Sequence, residues 1–349
     1  MSELRLDQTT KEWVIMAPPE RGKRPQHMSN RQRVDELPER DDSCPFCPGN
    51  EDQTPSAVLQ TPDPNDKILW SVRVVPNRFA ALALGGNTIS RGNGHFSRKM
   101  DGVGEHEVII ESPSHNTPMA LMPYQQIERV LQAYQQRYNT LKKNRQFKFI
   151  TIFKNHGWES GTSLAHPHSQ LVATPIIATY YRRKFNVSVD YFYDTGKCLF
   201  CDMLVEEMEK KERVVVQTND FVVLHPFASR VLYETWIIPR KHSASFGLFP
   251  KAKLNALAMV LKDCLLCLYR DLDNPAFNLM VDTTTTEDEE DPYCHWHIRI
   301  VPRLTTIAGF EMGSGIHINT SLPEDTAKII RQAAHSLPED EMLSFNQKG

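Results

Sequence analysis

The sequence predicts an α+β fold in which one unit, mainly antiparallel sheet with one long helix, occurs twice in tandem. A Cys-x-x-Cys pair occurs at residues 44–47 and again at 198–201. A single histidine after an apolar run and a proline follows each pair, and a His-x-His follows that histidine. The two intervals are similar, since 51 residues separate His115 from His166 and 53 separate His242 from His295. Two series with the same order and spacing indicate a duplication.

The long helix of each unit is predicted by apolar residues at helical spacing. They recur from Tyr124 to Lys142 in the first unit and from Ala252 to Leu272 in the second. Cys264 and Cys267 lie within the second apolar stretch, where core packing is the expected role. Short β-rich runs flank both helices and predict strands. These runs cover residues 107–110, 149–153, 235–238 and 277–281.

The boundary between the units is predicted near residues 176–196. We therefore divide the chain into residues 1–180, which carry the candidate chemistry, and residues 181–349. Segments 85–101 and 283–291 are predicted loops, the first rich in Gly, Asn and Ser and the second acidic.

Composition excludes several classes of function. The 349 residues are 40% hydrophobic, enough for one or two folded domains. A formal net charge of -3 without basic runs gives no footprint for nucleic acid. The sequence contains neither an apolar N-terminal signal region nor an apolar run long enough for a bilayer, so we expect a cytoplasmic protein without a membrane partner. Its seven cysteines are then better suited to metals than to disulfides.

Each unit offers two thiolates and two imidazoles, the donor set of a closed structural zinc site. The first set is Cys44, Cys47, His115 and His166, and the second is Cys198, Cys201, His242 and His295. We expect Zn²⁺ in the first set and a second Zn²⁺ in the other. His297 lies on the same strand face as His295 and is an alternative fourth ligand. Four protein ligands leave no position for water, so both metals are expected to be structural.

The segment from His166 to Gln170, with the sequence HPHSQ, is the candidate reactive site. In an extended strand His166, His168 and Gln170 face one surface, because alternate side chains share a side. A neutral imidazole is both a nucleophile and a metal ligand, and an amide can donate to a phosphoryl oxygen. Two buried strand histidines without chemistry are the alternative.

The chain resembles the galactose-1-phosphate uridylyltransferases and their close relatives, the nucleotidyltransferase branch of the histidine-triad superfamily, over nearly its whole length. The resemblance implies two tandem histidine-triad-like domains in one chain. It also implies that the second histidine of the HPH motif, here His168, attacks the α-phosphorus of a nucleotide sugar. The matching segments are residues 21–25, 44–47, 75–79, 107–115, 155–163, 166–170 and 309–311.

The resemblance also implies the supporting roles. Gln170 stands where histidine-triad hydrolases have a third histidine, so its amide is expected to hold a nonbridging phosphoryl oxygen of a covalent nucleotidyl-histidine. Segment 309–319 resembles the piece that one subunit contributes to its partner's active site, which implies a homodimer. The residues expected to contact substrate are Arg21, Arg24, Asn77, Asn155, Ser163, Phe310, Glu311 and Asn319.

The repeat separates the roles within HPHSQ. His166 corresponds to His295, beside its own two cysteines, and is therefore expected to be the metal ligand, which leaves His168 for attack. Arg299 stands in the place of Gln170 in the second unit, which indicates that only the first unit retains the chemistry.

The leading expectation is ping-pong transfer of UMP between UDP-glucose and galactose 1-phosphate. The alternative is transfer of AMP from ADP-glucose to inorganic phosphate through the same intermediate. Relatives specific for uridine diphosphate galactose chemistry carry a lysine and an aromatic before the Gly-aromatic-Glu segment, where this chain has Thr305 and Thr306. Its own segment looks more like a relative that phosphorolyses ADP-glucose. The base and the acceptor therefore stay open, and a nucleotide hydrolase and a non-catalytic zinc scaffold are weaker alternatives.

Overall fold

The computed structural model describes residues 2–17, 37–64, 69–92, 96–336 and 344. The predicted substrate ligands Arg21 and Arg24 lie outside the described residues. The strands in the described part are β1 Glu3–Leu6, β2 Trp13–Met16, β3 Leu59–Pro62, β4 Trp70–Pro76, β5 Arg91–Gly92, β6 Arg98–Lys99, β7 Glu105–Ile110, β8 Phe149–His156, β9 His168–Thr174, β10 Val214–Gln217, β11 Phe221–Leu224, β12 Thr235–Pro239, β13 Phe277–Asp282, β14 His297–Pro302 and β15 His317–Asn319. The helices there are α1 Tyr124–Leu141, α2 Thr179–Thr195, α3 Leu199–Lys210, α4 Leu254–Asp271, α5 Gly309–Ser314 and α6 Pro323–Ser336.

A ten-stranded antiparallel sheet contains both units. Its strand order is β10-β11-β12-β14-β13-β8-β9-β7-β4-β3. Read from either edge to the centre, β3-β4-β7-β9-β8 matches β10-β11-β12-β14-β13, and β8 pairs with β13 where the halves meet. We call β3, β4, β7–β9 and α1 the first copy, and β10–β14 and α4 the second copy. The predicted α+β class and antiparallel sheet are confirmed. The division at residue 180 stays a prediction, since the copies share this sheet.

The predicted long helices are present, and they lie together on one face of the sheet. α1 packs against α4, and their apolar residues join one buried cluster with residues of both copies. Cys264 and Cys267 belong to this cluster, as expected. Strand alternation sends other apolar residues to the opposite face. There two smaller clusters contain the two Cys-x-x-Cys pairs, so both candidate metal sites lie on the face away from α1 and α4.

Sequence patterns missed the helices α2, α3 and α6. The predicted boundary region is largely the 17-residue helix α2, which begins after Ala178 without a capping side chain. Because capping residues are a main sequence signal for a helix start, the sequence does not indicate this helix. The second cysteine pair also differs from the first, since Cys198 precedes α3 and Cys201 lies in its first turn. The predicted loop 85–101 contains the small hairpin of β5 and β6.

A separate three-stranded sheet joins the two ends of the described chain. β15 pairs in parallel with β2, which pairs with β1. Segment 309–319, expected to reach a partner's site, is thereby attached to the N-terminal strands. Among the helices of the described residues, none combines the length and apolarity that a bilayer crossing requires.

Candidate functional site

The first cysteine pair and two histidines form a compact, buried group. One ligand atom from each of Cys44, Cys47, His115 and His166 lies within 4.8 Å of the others. The Cys47 Sγ atom is 3.4 Å from His115 Nδ1 and 3.6 Å from His166 Nδ1. Sulfur and nitrogen ligands on a tetrahedral zinc ion are about 3.6 Å apart, given metal bond lengths of about 2.3 and 2.1 Å. The geometry fits Zn²⁺.

The surroundings of His166 fit a metal ligand as well. Its Nε2–H donates to the carbonyl oxygen of Ser112 at 2.8 Å, so Nδ1 carries the lone pair that faces the cysteines. Burial lowers the pKa of His166 to about 4, which keeps the ring neutral. A backbone carbonyl is one of the usual partners for the second ring nitrogen of a zinc-bound imidazole. Four protein ligands would hold the ion in a closed, structural site.

The second group repeats this arrangement. Cys201 Sγ lies 3.4 Å from His242 Nδ1 and 3.5 Å from His295 Nδ1, and Cys198 completes the set. His242 Nε2–H donates to the Asp291 carbonyl at 3.1 Å, as His166 does to Ser112. Of the two alternatives for the fourth ligand, the structure places His295 in the group. The Nε2 of His297 instead lies 3.2 Å from Lys184 Nζ.

His168 opens strand β9 and is held through its own backbone. Its Nδ1–H donates to the carbonyl oxygen of His166 at 2.8 Å, so Nε2 carries the lone pair. Within the described residues no group bonds this Nε2. Burial lowers the pKa of His168 below its usual value. The ring of Phe46, from the cysteine loop, meets the imidazole edge to face at 5.3 Å between centroids. A neutral imidazole with a free, oriented Nε2 can act as a nucleophile.

A buried ion pair supports the backbone behind His168. Lys154 Nζ lies 2.7 Å from Glu111 Oε2 and donates to the His168 carbonyl at 3.2 Å. The other carboxylate oxygen of Glu111 accepts from Ser169, which also bonds Tyr134 of α1. Because all these groups are buried and bonded, the strand that carries His168 is held to β8, to α1 and to Glu111, which follows β7.

A cavity of about 520 Å³ lies beside His168. Asn77, Ser163 and Gln170 line it together with His168, so the structure brings these predicted residues together. Its apolar walls suit a planar base, because flat rings pack well on aromatic and branched side chains. These wall residues are Phe46, Val75, Phe79 and Val108. Asn155 lines a smaller cleft that also touches His168. In the described structure His166 lies outside the larger cavity, since it precedes the strand and turns toward the cysteines.

The predicted ligands near the C-terminus are not among the residues that line either cavity. The carboxylate of Glu311 accepts bonds from the backbone N–H groups of Ala308 and Ile318. The amide of Asn319 is buried and donates to the carbonyls of Ser229 and Val231. Glu311 therefore stabilises its own segment, and Asn319 attaches that segment to residues 229–231 of the same chain.

His106, which the sequence patterns do not mark as a site residue, lies on β7 next to strand β9. Its Nε2 is 2.7 Å from Gln170 Oε1. In the β7–β9 pairing Val108 is opposite Gln170 and His106 is opposite Val172, so His106 and Gln170 are diagonal neighbours on one sheet face. The alternation in residues 105–110 predicts that His106 shares a face with Val108. The sequence does not contain the register that brings it to Gln170.

Comparison with known proteins gives consistent matches. The family described as "Galactose-1-phosphate uridyl transferase, N-terminal domain" matches residues 1–178, and a domain of unknown function, DUF4921, matches residues 123–348. An ADP-glucose phosphorylase of Arabidopsis thaliana is 35% identical over 95% of this chain and 93% of its own. A galactose-1-phosphate uridylyltransferase of Thermotoga maritima is 30% identical over 95% and 98%. A crystal structure of an Arabidopsis thaliana ADP-glucose phosphorylase with bound ADP-glucose superposes with a TM-score of 0.80, at 32% identity, and covers 95% of this chain and 98% of that one.

Proposed function

The chain belongs to the galactose-1-phosphate uridylyltransferase family, whose members are nucleotidyltransferases, and from this we propose that His168 carries nucleotidyl transfer from a nucleotide sugar. One observation carries the proposal. Among the described residues no group bonds the Nε2 of His168, and its ring is fixed by the Nδ1–H bond to the His166 carbonyl beside a base-sized cavity.

The reaction has two displacements at one phosphorus. In the first, the Nε2 lone pair forms a bond to the α-phosphorus, and the bond from that phosphorus to the sugar 1-phosphate breaks. The leaving group is a stable anion, so no general acid is needed. In the second, an oxygen of the acceptor phosphate attacks the α-phosphorus and releases His168. The NH₂ group of Gln170 donates to a nonbridging phosphoryl oxygen in both steps, with Asn77, Asn155 and Ser163 as further polar contacts.

We favour ADP-glucose as the donor and inorganic phosphate as the acceptor, which gives ADP and glucose 1-phosphate. Support comes from the 35% identity to an ADP-glucose phosphorylase and from the fold shared with the ADP-glucose complex. Thr305 and Thr306 before Gly309 point the same way. The second candidate is UMP transfer between UDP-glucose and galactose 1-phosphate, supported by the 30% identical uridylyltransferase.

One experiment separates the two donors. The protein is incubated with ADP-glucose or with UDP-glucose, without an acceptor, and the mass added to the chain is read and located by peptide mapping. We expect an AMP adduct on His168 that survives base and is lost in acid. A UMP adduct alone would favour the second candidate. With His168→Gln as the control, an adduct that persists would refute His168 as the nucleophile.

Two structural features accompany the proposal. The two Cys/His groups would each hold one Zn²⁺, and the first would fix the backbone from which His168 projects. We also propose a homodimer in which segment 309–319 reaches the partner's site, since Phe310 and Met312 on α5 are 52% and 78% exposed. Sedimentation tests the dimer. Mixing inactive His168→Gln chains with Phe310→Ala chains tests whether each active site contains residues of both subunits. If the partner completes the site, the mixed dimers should regain activity.

A further inference from the structure

The amide of Gln170 can serve the reaction in only one of its two orientations. An amide presents an oxygen acceptor on one side and an NH₂ donor on the other. If the amide oxygen faced the phosphoryl group, it would repel the negatively charged nonbridging oxygen. The transition state would then be destabilised. Some group must therefore hold Gln170 so that its NH₂ faces the substrate.

The contacts of Gln170 supply that group. Its Oε1 lies 2.7 Å from Nε2 of His106, a distance that requires an N–H donor on the imidazole. Gln170 lines the cavity together with His168. Among the described residues, no group accepts a hydrogen bond from its NH₂ group. The donor side of the amide is thus available to a ligand, while the acceptor side is already bonded.

His106 is itself held in place by its neighbours. Its backbone carbonyl accepts from Asn77 N–H at 2.7 Å. Since Nε2 carries the proton, the Asn77 NH₂ can donate only to the other ring nitrogen, Nδ1, which lies 3.4 Å from Asn77 Nδ2. The Oδ1 of Asn77 accepts from Phe79 N–H at 2.9 Å, which fixes the direction of that amide. Asn77 therefore limits the movement of the imidazole.

We propose that His106 is a positioning residue that fixes the orientation of the Gln170 amide, so that its NH₂ meets the phosphoryl group under attack by His168. This inference rests on the proposed function. It adds a residue that touches no reacting atom and acts only through Gln170. It predicts that the donor character at position 106 matters more than the ring.

An isosteric pair of variants tests this directly. His106→Gln keeps a donor of similar reach, whereas His106→Glu places an acceptor there and turns the Gln170 amide around. The readout is the single-turnover rate of nucleotidyl-His168 formation from ADP-glucose. We expect His106→Gln to stay within about threefold of the wild type and His106→Glu to lose about 10²-fold, the effect of a lost oxyanion donor. Equal rates for the two variants would overturn the inference.

A double-mutant cycle distinguishes positioning from a general structural effect. His106→Met removes the donor without adding an acceptor, so the rate should fall about tenfold when Gln170 is present. In a Gln170→Ala background the same change should have no further effect, because there is no amide to orient. A loss that persists in that background would contradict the proposal. If the wild type forms no adduct with either nucleotide sugar, the proposed function fails instead.

Discussion

The two copies carry the same histidine geometry in opposite surroundings. His168 and His297 each donate Nδ1–H to the carbonyl two residues earlier, at 2.8 and 3.1 Å. Each has a phenylalanine of its cysteine motif nearby, with Phe46 at 5.3 Å and Phe200 at 5.2 Å. Beyond that the copies diverge. His168 borders the cavity of about 520 Å³, whereas His297 borders a pocket of about 20 Å³.

In the second copy, side chains from α2 and β12 lie against His297. Lys184 of α2 lies 2.8 Å from Asp282 Oδ2 and 3.2 Å from His297 Nε2, the atom that would have to attack. Trp236 stacks on the imidazole at 4.7 Å, and Arg299, in the place of Gln170, lies 3.5 Å from Asp282. The strand geometry that orients the imidazole is therefore not sufficient for reactivity. The neighbouring elements must also leave the Nε2 atom accessible to substrate.

The largest difference is expected between the two histidines themselves. His168→Gln should remove the nucleophile and lower the turnover rate by more than about 10⁴-fold, as loss of a covalent catalyst does. His297→Gln should leave the rate within about twofold, because Lys184 and Trp236 already exclude substrate from it. Steady-state assays and adduct mass spectrometry on both variants provide the measurement. A comparable loss in both would show that the second copy takes part in catalysis.

Substitutions of the two buried lysines are expected to have the next largest effect. Lys154→Met and Lys184→Met each break a buried ion pair, and we expect each to lower the free energy of unfolding by about 3–5 kcal/mol. Arg299 stays near Asp282, so Lys184→Met should fall at the lower end of that range. Urea unfolding followed by tryptophan fluorescence measures both.

The adduct rate then separates the two lysine variants. Lys154 donates to the His168 carbonyl, so Lys154→Met should also slow adduct formation by about tenfold. Lys184→Met should not slow it. If both variants lost rate equally, Lys154 would have no special effect on the nucleophile strand.

Removal of the two metal ions should affect the rate of adduct formation differently, with a smaller difference than that between the two histidine variants. Cys47→Ser and Cys201→Ser should each lower the zinc content from two ions per chain to one, measured by elemental analysis. Loss of the first ion should slow adduct formation by about 10–100-fold, because His166 then no longer fixes the carbonyl that orients His168. Loss of the second should lower the melting temperature and leave the rate nearly unchanged. Wild-type protein without zinc would refute both ligand assignments.

Local patterns accounted for the parts of the site that are encoded close together in the chain. The cysteine pairs, the HPHSQ segment and the periodicity of α1 and α4 are short signals, and the repeat gave the order of the two metal groups. Those signals also separated His166 from His168, because His295, the counterpart of His166, occurs with its own cysteine pair and His242 in the second copy.

The remaining parts depend on long-range pairing. The β7–β9 register, which places His106 at Gln170, joins residues 64 positions apart, and the Lys184–Asp282 contact spans 98. The central β8–β13 pairing merges the copies into one sheet. Helix α2, which contributes Lys184 to the second site, begins without a capping side chain. Such features follow from packing between distant segments, and no local pattern specifies them.

The smallest predicted difference concerns the two phenylalanines. Phe46→Leu and Phe200→Leu should each lose an aromatic contact worth about 0.5–1.5 kcal/mol of stability, since each ring meets a histidine at nearly the same distance. Only Phe46 also lines the cavity, so only Phe46→Leu should weaken nucleotide-sugar binding, by about two- to tenfold. Calorimetric titration of ADP-glucose in a His168→Gln background measures binding without turnover. Unchanged affinity in Phe46→Leu would mean that the base binds elsewhere. A matching loss in Phe200→Leu would mean that a change in the second copy affects nucleotide-sugar binding in the first.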